Sequence, residues 1–232
     1  MARRRFKLWR FLFVDIPLAF IVLSVLWVLV LKWVPVWVTP LMVSRSIEYR
    51  STPDFHTHKK WVSYSDISPW MAKAVIAGED NKFPTHKGFD WDEIDNALQD
   101  HRAGKKLRGA STISQQTAKN VFLLPTRSFL RKGFEAYFTV LIERIWGKER
   151  IMEVYLNVAE MGLGIYGAEA AARQYYGCHA SELTRSQACL LAACLPSPLN
   201  RNPVNPGTYT SSRAGTISSL IGKLSYPEWV EH

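Results

Sequence analysis

The chain has 232 residues, enough for one globular domain with a short appendage, and its formal net charge is +9. Five of the positive charges lie in the first ten residues, which leaves an excess of only +4 for the rest of the chain. A nucleic-acid-binding domain carries its basic stripe on its folded surface, whereas this chain places its densest basic cluster directly before an apolar run. We therefore expect no nucleic-acid partner.

Residues 11–33 form an apolar run, interrupted only by Asp15, Pro17, Ser24 and Lys32. Because about 20 helical residues cross the hydrocarbon core of a bilayer, we predict a transmembrane helix over this run. The basic residues 1–10 are expected to stay in the cytoplasm as a short tail. The rest of the chain would then lie on the far side of the membrane.

A cleaved signal peptide is the alternative to a retained anchor. No small-x-small cleavage site follows the apolar run, and Trp27, Trp33 and Trp37 are typical of a retained anchor. Residues 34–44 are aromatic, apolar and interrupted by proline, which predicts an interfacial linker. The folded domain is then predicted over residues 45–232.

Helix signals dominate the predicted domain, so we expect a mainly α fold. Ser68 followed by Pro69 predicts the start of a helix that runs through Ala77. Asp90 predicts the N-cap of the next helix, and Gly104 predicts its end.

Further helices are predicted downstream. Ser111 is expected to cap a helix that reaches about Phe122, and an apolar stripe at helical spacing predicts the helix after it. Residues 148–157 and 166–176 are also predicted to be helical, the latter ended by Gly177. The members of the stripe are Leu130, Phe134, Phe138, Leu141 and Ile145.

The C-terminal part of the domain shows one more helix signal. Thr184 and Gln187 form a predicted capping box for a helix that includes Cys189 and Cys194. Because both cysteines lie in an apolar run, they are expected to be buried free thiols. Strand-type alternation is scarce, and only residues 61–64 predict a short strand.

Glu79 lies beside Gly78, just past the first helix predicted in the domain. A carboxylate at such a place can project into a cleft, where burial sets its pKa. In isolation the residue would be interpreted as an ordinary exposed glutamate. It opens the pattern Glu-Asp-x-x-Phe-x-x-His-x-Gly-x-Asp, which ends at Asp90. A pattern of this length favours a functional site.

A second pattern, Gly-x-Ser-Thr-Ile-Ser-Gln-Gln-x-x-Lys-Asn, occupies residues 109–120. On a helix its polar members fall along one side, because residues three and four apart are neighbours. The N-terminus of that helix also favours an anion. A capped solvent face is the alternative, although such a face more often carries Glu and Lys. The members of the row are Thr112, Gln115, Gln116 and Lys119.

A third pattern, Arg-Lys-x-x-Glu, consists of Arg131, Lys132 and Glu135. Arg131 and Glu135 are four residues apart, so a surface ion pair worth about 0.3 to 0.5 kcal/mol is the simpler interpretation of this segment alone. Its place after the two other patterns favours a second functional carboxylate at Glu135 instead.

These patterns resemble the signatures of the peptidoglycan glycosyltransferases, glycosyltransferase family 51, whose domain also forms the N-terminal half of class A penicillin-binding proteins. Residues 148–157 and 195–203 continue the likeness, which covers roughly residues 45–203. Ala110 departs from the glycine that many members have there. A Ser-x-x-Lys acylation motif is absent from the sequence, so the chain looks like a monofunctional member. The resemblance implies a mainly α, lysozyme-like fold.

The resemblance also implies a reaction and residue roles. The GlcNAc 4-hydroxyl of the acceptor attacks the anomeric carbon of the donor's MurNAc, with inversion, to form a β-1,4 link and release polyprenyl diphosphate. Glu79 is implied as the base and Glu135 as the second catalytic carboxylate. The implied substrate-binding residues are Phe83, His86, Ser111, Thr112, Gln115, Gln116, Lys119, Arg127, Arg131 and Lys132.

Ligands and location follow from the same resemblance. The expected substrates are lipid II and the lipid-linked nascent glycan chain, and a divalent cation (Mg²⁺ or Mn²⁺) is the expected cofactor, with ligands that the sequence does not identify. The expected location is the bacterial inner membrane, with the catalytic domain in the periplasm. There it would meet membrane lipids and other cell-wall synthesis and division proteins.

Two other functions compete with this interpretation. A lysozyme-like muramidase or lytic enzyme needs a carboxylic acid of raised pKa and little cationic density, whereas these patterns are rich in cations. An inactive membrane-anchored scaffold would tolerate loss of Glu79 or Gln115, and both residues are present. The sequence therefore favours the polymerase.

Overall fold

The computed structural model describes residues 9–104, 109, 111–126 and 128–231, and the chain divides into two compact units, Met1–Pro35 and Val36–His232. In the first unit, a π-helical turn (Phe11–Asp15) continues into helix α1 (Ile16–Leu31). Together they span 21 residues and are apolar enough to cross a membrane. Only 11% of their most apolar 18-residue stretch is buried. Because a soluble core helix would be mostly buried, this helix suggests a membrane anchor.

Helices dominate the second unit, which confirms the prediction of a mainly α fold. In chain order they are α2 (Pro40–Glu48), α3 (Pro69–Glu79), α4 (Trp91–Arg102), α5 (Ile113–Phe122), α6 (Phe129–Ile145), α7 (Lys148–Val158), α8 (Ala168–Tyr176), α9 (Arg185–Cys194), α10 (Thr208–Ile221) and α11 (Glu228–Glu231). Short 3-10 turns occupy Tyr64–Asp66 and Ala180–Glu182. Helix α2 begins inside the segment 34–44 that the sequence predicts as a linker.

The packing has two helical groups. Helix α9 packs against α3 and α10, while α5 packs against α6 and α7. The groups meet where the C-terminal end of α3 approaches the first turn of α5, and the backbone N–H of Ile113 donates a hydrogen bond to the Asp80 carboxylate there (2.9 Å). The largest fully buried side chains include Tyr155, Tyr166 and Phe83.

Several predicted helix boundaries are confirmed. The Asp90 carboxylate accepts a hydrogen bond from the N–H of Glu93 (3.1 Å) and caps α4. Thr184 and Gln187 form the predicted capping box of α9. Gly177 ends α8 in the left-handed conformation, with φ of 66°. Local features decide these three boundaries: two side-chain caps, and one glycine that adopts a positive φ without a Cβ clash.

Three other boundaries differ from the prediction. The cap of α5 is Thr112, not Ser111, because the Thr112 hydroxyl accepts from the N–H of Gln115 while Gln115 bonds back. Ser68 precedes α3 as predicted, but its hydroxyl donates to the carbonyl of Leu183 instead of capping the helix. Helix α3 continues to Glu79, two residues beyond its predicted end.

The predicted apolar stripe on α6 is wrong in its phase. Leu130 is 72% exposed and Phe134 is also exposed, so two of the five residues of the expected core face point away from the interior. The buried face instead contains Glu135, Phe138, Thr139 and Ile142, which follow regular helical spacing. Because Glu135 is charged, a prediction based only on apolar spacing assigns it to the exposed face and so places the buried face incorrectly.

A small three-stranded sheet lies beside the helices. Strand β1 (His58–Lys59) runs parallel to β3 (Ile165–Tyr166), which pairs antiparallel with β2 (Glu160–Gly162). Tyr166 therefore belongs to a strand, and the predicted helix over 166–176 starts only at Ala168.

The predicted strand over 61–64 is wrong because side chains of α7 take its backbone hydrogen bonds. The Asn157 amide bonds to both the N–H and the carbonyl of Val62, at 3.0 and 2.9 Å. The N–H of Tyr64 donates to the Glu153 carboxylate (3.2 Å). With those groups engaged, this segment cannot form a strand ladder.

Two glycines of left-handed conformation allow a test of the fold around α8. Gly177 has open space where a Cβ would lie, so Gly177→Ala should cost only the conformational strain, about 1 to 2 kcal/mol. Gly167 has φ of 83°, and its added Cβ would lie 2.7 Å from the carbonyl oxygen of Asn157. Gly167→Ala should therefore lower the free energy of unfolding, measured by thermal denaturation, by clearly more than Gly177→Ala does. Equal losses for the two variants would contradict the close packing at Gly167.

Candidate active site

A cavity of about 770 Å³ opens at the C-terminal end of α3. Its wall is formed by the end of α3, the loop before α4 and the first half of α4, the start of α5, the turn after α9, and helix α10. Of the residues that the sequence predicts for the site, the cavity is lined by Glu79, Ser111, Thr112 and Gln116. Two residues that the sequence did not single out, Tyr209 and Arg213 of α10, also line it.

Glu79 is the last residue of α3 and lies in the cavity wall with its side chain 11% exposed. The amide nitrogen of Gln116 donates to its Oε2 (3.0 Å), and Arg213 Nη2 lies 3.5 Å from its Oε1. Burial raises the pKa of Glu79, while the Gln116 hydrogen bond and the charges of Arg213 and Arg201 oppose that rise. The result is a positioned carboxylate with a pKa above the ordinary glutamate value.

Arg213 reaches Glu79 because α10 packs closely on the end of α3. Arg213 Nη2 donates to the carbonyl of Gly78 (2.8 Å), and a Cβ on Gly78 would lie 3.0 Å from Ile217 Cδ1. Arg213 and Ile217 are four residues apart, so they lie on one face of α10. The absence of a side chain at Gly78 lets this face approach.

Asp80 joins α3 to α5 from behind Glu79. Its Oδ2 accepts hydrogen bonds from the N–H of Ile113 (2.9 Å) and from His86 Nε2 (2.8 Å). The N–H of Gly88 donates to His86 Nδ1 (2.9 Å), so Nε2 is the ring atom that carries the proton toward Asp80. A carboxylate at the N-terminus of α5 also matches the helix dipole.

Phe83 and His86 support this arrangement from the interior. Phe83 is fully buried, with its ring edge-on to His86 and to Trp229, and the ammonium group of Lys148 lies 4.5 Å from its centroid. Neither Phe83 nor His86 is among the cavity-lining residues. The structure therefore places these two predicted substrate-binding residues behind Asp80, where they shape the site.

Thr112 and Gln115 are engaged in the start of α5. The N–H of Thr112 donates to Gln115 Oε1 (3.0 Å), and the Thr112 hydroxyl donates to the carbonyl of Gly88 (2.7 Å). Gln115 is buried and is not among the cavity-lining residues. Of the two predicted glutamines, only Gln116 faces Glu79.

A cationic cluster, defined as Lys119, Arg131 and Lys132, surrounds the second predicted carboxylate. Glu135 is 3% exposed, its Oε2 accepts from Arg131 Nη1 (2.7 Å), and its Oε1 accepts from Lys132. Lys132 Nζ also lies 3.5 Å from the Ser111 hydroxyl, which connects the cluster to the cavity wall. Because Glu135 is buried, its pair with Arg131 is not the exposed surface pair of the simpler interpretation.

Lys119 is the least compensated member of the cationic cluster. Within the described part of the chain, its ammonium group has no ion pair or hydrogen bond at contact distance, although Glu135 and Glu160 attract it from further away. Burial lowers the pKa of Lys119, and the charges of Arg131 and Lys132 lower it further. Three cations around one buried carboxylate leave a positive excess, which suits an anionic ligand.

Glu160 is a partly buried carboxylate that the sequence did not single out. Burial raises its pKa, and Arg45 Nε donates to its Oε1 (3.1 Å), so its charge is compensated from α2. Arg127, the remaining predicted residue, lies outside the described residues.

The described residues do not supply a ligand set for a metal ion. Across residues 9–104, 109, 111–126 and 128–231, no three His, Cys, Asp or Glu side chains converge on one point. Both oxygens of Glu135 already accept hydrogen bonds from cations, and Asp80 is engaged by Ile113 and His86. The residues present therefore do not fit a metal held by the protein alone.

Comparison with known proteins gives one consistent result. A family model described as Transglycosylase matches residues 47–221. A protein named biosynthetic peptidoglycan transglycosylase from Bacteroides thetaiotaomicron is 51% identical over 208 residues, covering 89% of this chain and 84% of that protein. Proteins of the same name from Caulobacter vibrioides and Pseudomonas entomophila are 47% identical over 218 residues and 50% identical over 209. These alignments cover 94% and 89% of this chain, and 93% and 88% of the relatives.

Proposed function

Because this chain belongs to the transglycosylase family, we propose that Glu79 is the base of a peptidoglycan polymerase and that the cationic cluster receives the diphosphate leaving group. The enzyme is a peptidoglycan glycosyltransferase that polymerises glycan strands, and its substrates are lipid II or glycan chains. The observation that carries the proposal is the Glu79 carboxylate in the cavity wall, held by Gln116 and Arg213.

The reaction needs a base at the acceptor. The acceptor's 4-hydroxyl forms a bond to the anomeric carbon of the donor while the bond from that carbon to the diphosphate oxygen breaks, with inversion. A sugar hydroxyl is a weak nucleophile, so transfer of its proton to Glu79 during attack contributes about 10²- to 10⁴-fold. A raised pKa makes Glu79 a stronger base than an ordinary glutamate, provided that the pH keeps it ionised.

The reaction also needs charge stabilisation at the donor. Diphosphate leaves with its negative charge growing on the bridging oxygen, so it needs cations rather than a strong acid. Lys119, Arg131 and Lys132 offer that charge, and Glu135 holds the last two in place. The lowered pKa of Lys119 implies that transfer weakens at alkaline pH sooner than it would with an ordinary lysine.

A divalent cation, if the reaction uses one, would have to be brought by the substrate's diphosphate, because Mg²⁺ commonly binds through phosphate oxygens with few protein ligands. The roles of Glu79 and the cationic cluster do not depend on such a cation.

The location of the domain belongs to the same proposal. Helix α1 would anchor the enzyme in the bacterial inner membrane, and the basic N-terminal tail would hold that end in the cytoplasm. The catalytic domain would then work in the periplasm on lipid-linked substrates at the membrane surface, beside other cell-wall synthesis and division proteins.

Glu79→Gln should fold normally and lose polymerase activity by at least about 10²-fold, because an amide cannot accept the proton. Activity is measured as polymer formed from labelled lipid II. Glu149→Gln, a matched change at an exposed site on α7, should retain normal activity. Near-normal rates for Glu79→Gln would remove this residue from the base role.

Lys119→Met should lower the transfer rate by about tenfold or more, the loss of one charge-assisted contact worth about 1.5 to 3 kcal/mol. Its melting temperature should not fall, because Lys119 has no ion pair among the described residues to lose. Arg131→Ala should lower both activity and stability, because it removes a partner of the buried Glu135. A Lys119→Met enzyme with normal turnover would refute a diphosphate contact.

The membrane orientation can be tested with fusions after His232. A reporter active only in the periplasm should give signal, and a reporter active only in the cytoplasm should be silent. Replacing Arg3, Arg4 and Arg5 with glutamine should weaken the preference for an N-terminus in the cytoplasm. The reverse pattern in the unaltered chain would overturn the orientation.

A further inference from the structure

A buried tyrosine stands behind the proposed base. Tyr155 of α7 is 1% exposed, and its hydroxyl donates a hydrogen bond to Gln116 Oε1 (3.2 Å). The other end of the same amide, Gln116 Nε2, donates to Glu79 Oε2 (3.0 Å). A continuous path of two hydrogen bonds therefore runs from Tyr155 to the Glu79 carboxylate.

The donor and acceptor groups of the Gln116 amide determine which of its ends faces Tyr155 and which faces Glu79. An amide has its acceptor at one end and its donors at the other, so a donor at Oε1 turns the NH₂ group toward Glu79. Burial raises the pKa of Tyr155 well above its ordinary value, and the charges of Glu79 and Asp80 raise it further. Tyr155 therefore stays protonated and keeps donating across the working pH range.

We propose that Tyr155 is a positioning residue for catalysis, acting through Gln116 to hold Oε2 of Glu79. Oε1, which among the described residues has only the long 3.5 Å contact with Arg213 Nη2, then accepts the proton of the acceptor hydroxyl. This proposal rests on the role of Glu79 as base. Tyr155 is not among the residues that line the cavity, so it acts on the base without touching the substrate.

The consequence is a specific change in pH dependence. Charged and titratable groups that face Glu79 are Arg213 of α10, Arg201 after α9, and Tyr155 of α7. Asp80 is its neighbour in the chain. The hydrogen bond from Gln116 lowers the pKa of Glu79. When Tyr155 no longer orients the amide, that bond weakens and the pKa of Glu79 rises, which moves the acidic limb of kcat/KM to higher pH.

The experiment compares Tyr155→Phe with the unaltered full-length enzyme, using labelled lipid II. The variant keeps the ring and loses only the hydroxyl. We expect kcat to fall about tenfold with KM unchanged, and the acidic limb to move to higher pH. Tyr176→Phe is the matched control: its half-buried ring has a hydroxyl without a hydrogen-bond partner among the described residues, so kcat and the pH profile should stay normal.

A double-mutant cycle separates positioning from general packing. Gln116→Met removes the amide that connects Tyr155 to Glu79, so adding Tyr155→Phe to it should cause no further loss of kcat. Additive losses, an unshifted acidic limb, or a change in KM alone would overturn the proposal. If Tyr155→Phe does not fold, Gln116→Met alone must show the shifted acidic limb, and a normal profile there overturns the proposal as well.

The Glu79→Gln variant separates failure of the base role of Glu79 from failure of the positioning role of Tyr155. If it remains active, the base assignment fails, and the role of Tyr155 fails with it. If it is inactive while Tyr155→Phe has a normal rate and pH profile, only the positioning role is refuted.

Discussion

The contact between the Asp80 carboxylate and the first N–H of α5 determines how the rest of the site is arranged. It fixes the end of α3 against the start of α5, and so places Glu79 opposite Gln116. The contact is buried, matches the dipole of α5, and is strengthened by a hydrogen bond from His86. Asp80 directly follows Glu79, and Ile113 lies three residues before Gln116, so this contact helps to bring the carboxylate and the amide together.

The two predicted carboxylates have different surroundings, and this difference suits them to the different functions proposed for them. Glu79 faces a neutral amide at hydrogen-bond distance and one arginine at 3.5 Å, so burial dominates and raises its pKa. Glu135 accepts hydrogen bonds directly from two cations. One environment favours exchange of a proton, and the other uses the carboxylate to hold cations.

The sequence predicted the elements whose signals are local. Asp90, Thr184 and Gly177 act on atoms a few residues away, so caps and helix ends could be found from spacing alone. The motif residues Glu79 and Gln116 also meet as neighbours in space. Arg213 could not be found in this way, because it lies beyond the residues that carry the resemblance and depends on how α10 packs over Gly78.

The errors have the same origin. The strand expected over 61–64 is prevented by Asn157 and Glu153, which lie about 90 residues later in the chain. On α6, the expected core face ignored Glu135, because a hydrophobic pattern assigns charged residues to the surface. A buried charge of this kind is stable only with partners, and those partners are set by tertiary structure.

The cationic cluster illustrates how burial of charged groups that lowers stability can serve a function. Lys119 is largely buried without a contacting carboxylate among the described residues, and the buried Arg131 Nε has no hydrogen-bond partner there either. Both conditions reduce the stability of the free enzyme. A diphosphate would supply acceptor oxygens and negative charge to the same groups. Under the proposed function, folding would already have met the cost of removing these cations from water. Binding of the diphosphate would then recover that free energy at the step where negative charge develops on the leaving group.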